Sequence, residues 1–141
     1  MTEEFLQYIW KYNLFDRSSL NTSEGEEISI IHFGEQNRDA GPDFINARLK
    51  IAGTVWAGNV EVHLNSSDWY RHNHQNDEAY RNVILHVVLK NDKPVFFSMV
   101  FNCHALNCNL MNAYIKTICN SFKIKNGCPA KKKFANSTGL W

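Results

Sequence analysis

The sequence predicts an α+β domain built on a mixed central β-sheet flanked by helices. Three observations carry this. The chain opens with an amphipathic segment in which Phe5, Leu6, Ile9, Trp10 and Asn13 follow a 3.6-residue stripe. Two alternating segments, 43–51 and 54–64, are joined by Ala52-Gly53, which suits a tight turn. The run VILHVVL at 83–89 is the most apolar strand in the chain, as expected of a central strand buried on both faces.

Each element follows in order. Residues 2–14 form the first helix, with Thr2 as its cap and Glu3 and Glu4 at its positive end. Residues 16–27 are polar and turn-rich. The β-branched run 28–33 is the first strand, and GEQNRDAGP at 34–42 is a loop. In 43–51, Ala47, Leu49 and Ile51 share one face while Asn46, Arg48 and Lys50 share the other. In 54–64, Val60, Val62 and Leu64 point one way and Asn59, Glu61 and His63 the other. Gly58 marks a bulge or a close backbone approach. Residues 66–82 hold one short helix. After the turn at 91–94, residues 95–101 read as a further strand. Residues 106–122 read as a helix, because Leu106, Leu110, Tyr114, Ile118 and Phe122 recur at i+4. Residues 1–122 are expected to form one domain, and 123–141 a basic, loose tail.

The 141 residues suffice for one domain with a sizeable core. No apolar run reaches the ~20 residues of a membrane helix. The N-terminus lacks the basic and apolar regions of a signal peptide, so the expected compartment is the cytoplasm. Cys103, Cys108, Cys119 and Cys128 form no C-x-x-C pair and are expected as free thiols, since their spacing fits no common metal site. Residues 1–100 carry 9 Lys/Arg against 14 Asp/Glu, a net −5, whereas 101–141 carry 6 lysines and no acid. That balance argues against a broad nucleic-acid surface on the body and leaves room for acids that hold a cation. Lys123, Lys125 and Lys131 to Lys133 read as a solvated tail or as phosphate contacts.

The chemistry concentrates in Asp43, Glu61 and His63. Hard cations such as Mg²⁺ take carboxylate oxygens and keep several waters. Two acids on neighbouring strands supply such a half-shell, and a residue two positions after the second acid shares its strand face. There it can orient water or stabilise developing charge on a phosphate. The solvated polar face of a hairpin produces the same letters, so both readings stand at this level.

The element order with Pro42-Asp43 and Glu61-Val62-His63 resembles the PD-(D/E)xK nuclease superfamily, a restriction-endonuclease-like α-β-β-β-α-β core. That resemblance implies Asp43 and Glu61 as ligands of Mg²⁺ or Mn²⁺, His63 in the position of the usual lysine, and a further acid from the first helix, Glu3 or Glu4. Lys50 is a candidate for a displaced lysine. The chain also resembles an uncharacterised bacterial family, a domain of unknown function. The shared patterns are GPDF-x-NA from Gly41, WAGNVEVH from Trp56, SDW from Ser67, H-x-H-x-x-D from His72 and NVILHVV from Asn82. This similarity covers about residues 1–95 and fades from about 101. Members of that family are typically longer, which implies that this chain is an N-terminal piece.

A second constellation holds Asp68, His72, His74 and Asp77. His72 and His74 share a face only if extended, so these residues are expected to contact substrate rather than to bind zinc separately. His86 is either a hydrogen-bonded core histidine or a member of the Glu61 pocket. The expected function is divalent-metal-dependent phosphodiester hydrolysis, with catalytic Asp43, Glu61 and His63, and His72, His74, Asp77 and His86 toward substrate. The expected partner is nucleic acid and not a membrane. The alternatives are a catalytically inactive nucleic-acid or protein-binding module and a purely structural N-terminal domain.

Overall fold

The structure, a computed structural model, describes residues 1–15, 17–95 and 106–109. It is an α+β arrangement around one mixed sheet of seven strands. Helix α1, Glu3–Lys11, starts where Thr2 accepts a hydrogen bond from the Phe5 N–H at 3.3 Å. It stops at Tyr12 and Asn13, the latter left-handed at φ 56°. Leu6, Ile9 and Trp10 are buried with Val60, Val62, Leu85 and Val87 in one cluster. The Trp10 indole N–H donates to the Phe33 carbonyl at 3.1 Å, which ties the helix to the sheet.

The strands are β1 (Leu20–Asn21), β2 (Glu27–His32), β3 (Glu35–Gln36), β4 (Phe44–Ile51), β5 (Thr54–Asn65), β6 (Val83–Lys90) and β7 (Leu106–Asn109). Their order across the sheet is β1-β2-β4-β5-β6-β7, with β3 paired to β4. β4 and β5 form the expected antiparallel hairpin. Its turn has Ala52 at φ 48° and Gly53 at φ 84°, the two positive values of a primed turn that matches strand twist. β6 lies parallel to β5, and β7 parallel to β6. β6 is buried from Val83 to Val88, as its apolar run predicts. Among the described residues, no helix is long and apolar enough to cross a membrane.

Strand β4 departs from simple alternation. Phe44 and Ala47 are both buried although three residues apart. The pairing with β5 shifts between them, and Asn46 adopts φ 58°. This is a β-bulge: one extra residue reverses the face on which the rest of the strand falls. Strict alternation would place Asp43 on the core face with Ala47, Leu49 and Ile51. The bulge instead sets Phe44 opposite Val60 in the core and leaves Asp43 beside Glu61.

Three expectations change. Residues 106–109 are a strand, not the start of a helix, because the buried strand β6 requires hydrogen-bond partners on both edges, and that demand overrides helical spacing. The loop at 34–42 contains the short strand β3. The single short helix in 66–82 is a one-turn α2, Asp68–Arg71, followed by two 3₁₀ turns, His74–Asn76 and Glu78–Tyr80. Val95 is not in a strand, and residues 96–101 of the strand expected from it, the remainder of the helix expected to 122, the tail at 123–141, and Cys103, Cys119 and Cys128 lie outside the described residues.

Gly58 makes a close approach. A Cβ there would stand 2.4 Å from the Asn82 carbonyl oxygen and 2.5 Å from Ile84 Cγ2. Only a residue without a side chain lets β5 meet the start of β6 at this point.

Candidate metal centre

The site forms where the start of β4, the middle of β5, the middle of β6 and the segment after α2 converge. Asp43 and Glu61 are locked by reciprocal backbone bonds. The Asp43 N–H donates to Glu61 Oε2 at 3.0 Å, and the Val62 N–H donates to Asp43 Oδ2 at 2.9 Å. The Gln7 amide of α1 donates to Asp43 Oδ1 at 2.9 Å. The two acids that the sequence pairs are therefore neighbours in space.

The first-helix acid turned to this site is Glu3. It is partly buried, and burial first, then Asp43, raise its pKa, with His72 opposing; Glu4 is exposed. Lys50 is not part of the site. It pairs with Val55, six positions along β5 from Glu61, or roughly 20 Å at strand rise.

Four imidazoles surround Glu61. His63 and His86 point to the Glu61 side of the sheet, since Glu61 pairs with His86 across parallel strands. His63 Nδ1 lies 2.8 Å from His86 Nε2, and both rings are fully buried. His63 Nε2 stands 3.3 Å from Glu61 Oε1 and 3.2 Å from His72 Nδ1. His74 Nε2 is also 3.3 Å from Glu61 Oε1. His86 thus satisfies both readings of the sequence: it is a hydrogen-bonded core histidine that faces the Glu61 pocket.

His72 and His74 reach the site without an extended segment. Asn73 between them is left-handed at φ 59°, a conformation that asparagine tolerates, and it folds the chain back after α2. The expectation that only a strand brings these rings together is corrected by that one residue. Trp69 and Tyr80 form the wall behind, with the Tyr80 ring stacked on His74 at 3.8 Å between centroids. Asp68 is buried, accepting from the Asn65 N–H at 3.1 Å and pairing with Arg71 at 2.8 Å. The SDW motif therefore anchors the helix that carries His72. Asp77 is exposed and caps the second 3₁₀ turn, accepting from the Ala79 N–H at 2.9 Å. Asp92 ties the start of α2 to the end of β6 by accepting from the Ser67 N–H and both serine hydroxyls.

Burial sets the electrostatics. It pushes Asp43 up to about 7, with the Glu61 carboxylate adding to the effect. It pushes Glu61 up to about 8, with a smaller contribution from Glu3. Burial, then the surrounding histidines, depress His63 to about 2, so this imidazole is neutral at physiological pH. Carboxylates that resist ionisation beside neutral imidazoles form a donor set that a divalent cation would complete.

His63, His72 and His74 each offer a ligand atom, and these atoms all lie within 4.8 Å of one another. Sequence reasoning placed His72 and His74 near the acids but missed this grouping. The signal was the H-x-H pair around an asparagine that tolerates positive φ.

No curated protein and no solved structure matches the chain. The similarity to the domain-of-unknown-function family does not fade from about residue 101, as the sequence patterns predict, but extends well past it. The model of the family described as "Protein of unknown function (DUF2851)" matches residues 3–136, and the chain belongs to that family.

Proposed function

We propose that this domain is a divalent-metal-dependent hydrolase of phosphodiesters built on a restriction-endonuclease-like core. The observation that carries the reading is the reciprocal locking of Asp43 and Glu61, which holds two buried carboxylates side by side at a strand junction. The order α1, β2, β4, β5, α2, β6 supports it, with the first acid entering the second of the three antiparallel strands and the second acid within the third. A bound divalent cation would supply Lewis acidity toward a phosphoryl oxygen and a hydroxide-like water.

The residues of the chain do the rest. Asp43 and Glu61 provide the oxygens. Gln7 and the Val62 N–H orient the Asp43 carboxylate. Glu3 adds negative charge at the rim. His63 differs from the lysine of the superfamily pattern, because its ring is neutral and brings a lone pair instead of a fixed charge. Exposed His72 and Asp77 lie on the open side, where a substrate would approach.

The test is cleavage of labelled single- and double-stranded DNA and RNA by chelator-stripped protein resupplied with Mg²⁺ or Mn²⁺. Cleavage in the parent and its loss in Asp43→Asn and Glu61→Gln support the reading. Cleavage that persists in both variants, or its absence with every substrate and ion, overturns it.

A further inference from the structure

The acids account for only part of the pocket. His74 is nine-tenths buried, with 8% of its surface exposed, yet its Nε2 has no hydrogen-bond partner. It faces Glu61 Oε1 at 3.3 Å. A buried imidazole nitrogen left in that state calls for a ligand. The sheet also spends buried polar groups on aiming a second imidazole. In the tautomer with its proton on Nδ1, His63 donates to His86 Nε2 and its Nε2 lone pair points at Glu61 Oε1 and His72. A second imidazole that fixes tautomer and ring orientation in this way is typical support for a metal-ligating histidine.

We propose that Glu61 Oε1, His63 Nε2, His72 Nδ1 and His74 Nε2 form a binding site for one divalent transition ion of the zinc, cobalt or nickel class. Two ligand atoms each ~2.1 Å from a tetrahedral ion stand roughly 3.4 Å apart. The distances from Glu61 to His63 and His74, both 3.3 Å, and from His63 to His72, 3.2 Å, have that spacing. The widest separation among the histidine ligand atoms is at most 4.8 Å, and the exposed His72 ring has room to close it. Imidazole nitrogens select such ions over Mg²⁺, which prefers oxygen ligands and water. Glu61 would then serve both this ion and the oxygen site it shares with Asp43. The histidine site does not depend on the hydrolase reading, because ion binding is measured without any substrate.

The experiment is titration of the full chain, stripped with chelator and kept reduced, with Co²⁺ followed by visible absorption, and with Zn²⁺ as competitor. One equivalent should bind, give the d–d bands of an imidazole-ligated ion and be displaced by Zn²⁺ but not by excess Mg²⁺. His74→Ala and His72→Ala should each weaken binding about ten-fold or more, by analogy with the loss of a metal-site residue. His72 is exposed, so its variant keeps the fold even if His74→Ala does not. The remote, exposed His32→Ala should bind as the parent does. Unchanged affinity in His72→Ala, or thiolate-to-cobalt charge-transfer absorption, overturns the proposal. Tight Co²⁺ binding without nucleic-acid cleavage removes the hydrolase reading and leaves this site standing; cleavage without histidine-dependent binding does the reverse.

Discussion

Asp43 holds Glu61 with its own backbone: the N–H of the first acid donates to Oε2 of the second at 3.0 Å. The next backbone N–H on β5, that of Val62, returns the bond to Asp43 Oδ2 at 2.9 Å. Each carboxylate is positioned by the strand that carries the other. Their separation is set by strand pairing, not by side-chain rotamers, which is how a rigid element fixes a ligand pair.

The stability of the metal-free protein should depend on pH in two opposing ways. Asp43 and Glu61, raised to about 7 and about 8, keep protons in the folded state that the unfolded chain has already lost. From pH 6.5 to 8 stability therefore falls as pH rises, by at most ~1.4 kcal/mol per pH unit for each proton held. His63, lowered to about 2, acts in the other direction: below about 6.5 the unfolded chain takes a proton that the folded state refuses, so its own contribution falls as pH falls and offsets part of the acids' effect. Thermal melts across pH 4–9 should show their steepest loss from pH 6.5 to 8 and a much shallower dependence between about 4.5 and 6.5, where the proton refused by His63 offsets part of those held by the acids, and Asp43→Asn should flatten the alkaline side. A melting temperature that rises steadily from pH 6.5 to 8 contradicts this.

Gly58→Ala should weaken the β5–β6 contact. The added methyl meets the Asn82 carbonyl at 2.4 Å, and that carbonyl already accepts from the Asn59 N–H at 2.7 Å. Backbone must shift to admit it, at a cost of about 2 kcal/mol. Urea unfolding of the variant reads this directly, and a midpoint equal to the parent's would show that the strands separate easily.

His86→Leu should loosen His63. It fills most of the volume but leaves His63 Nδ1 without the partner it has at 2.8 Å. The expected loss of stability is ~1–3 kcal/mol. Long-range nitrogen NMR of the metal-free protein should find the His63 proton on Nδ1 in the parent and distributed over both nitrogens in the variant. Identical ring spectra would mean that His86 does not set the tautomer.

Asp92→Ala should free the segment that carries His72. Its carboxylate accepts from the Ser67 N–H at 2.9 Å and from the Ser67 hydroxyl at 2.7 Å, ahead of α2. Loss of this clamp should cost about 1 kcal/mol and speed amide exchange over residues 67–72. Unchanged exchange there would show that buried Asp68 and Trp69 hold the helix without it.

Periodicity made the first helix, the hairpin and the central apolar strand legible, because each answers to a local rule. Asp43 and Glu61 were legible as a pair through the spacing of Pro42-Asp43 and Glu61-Val62-His63, not through periodicity, which would have buried Asp43. The short strands β1 and β3 were not, since two residues carry no period and form only because a neighbouring edge offers hydrogen bonds. Residues 106–109 misled because leucine at helical spacing says nothing about the vacant edge of β6 beside them. His72 and His74 were recognised as ligand types but not as one site, because the turn at Asn73 is a property of a single dihedral. The Glu61–His86 adjacency depended on the parallel register, which no local pattern encodes.

The bulge at Asn46 acts as a parity switch within the domain. Upstream of it, Asp43 sits in phase with the polar surface of the sheet; downstream, Ala47, Leu49 and Ile51 sit in phase with its interior. Straightening the bulge with every residue kept would drive a carboxylate toward Leu6 and Trp10, or else turn three apolar side chains outward; deleting Asn46 would leave Phe44 and Ala47 two apart and preserve the phase by ordinary alternation. The acid pair therefore depends on a break in strand alternation as much as on the identity of Asp43.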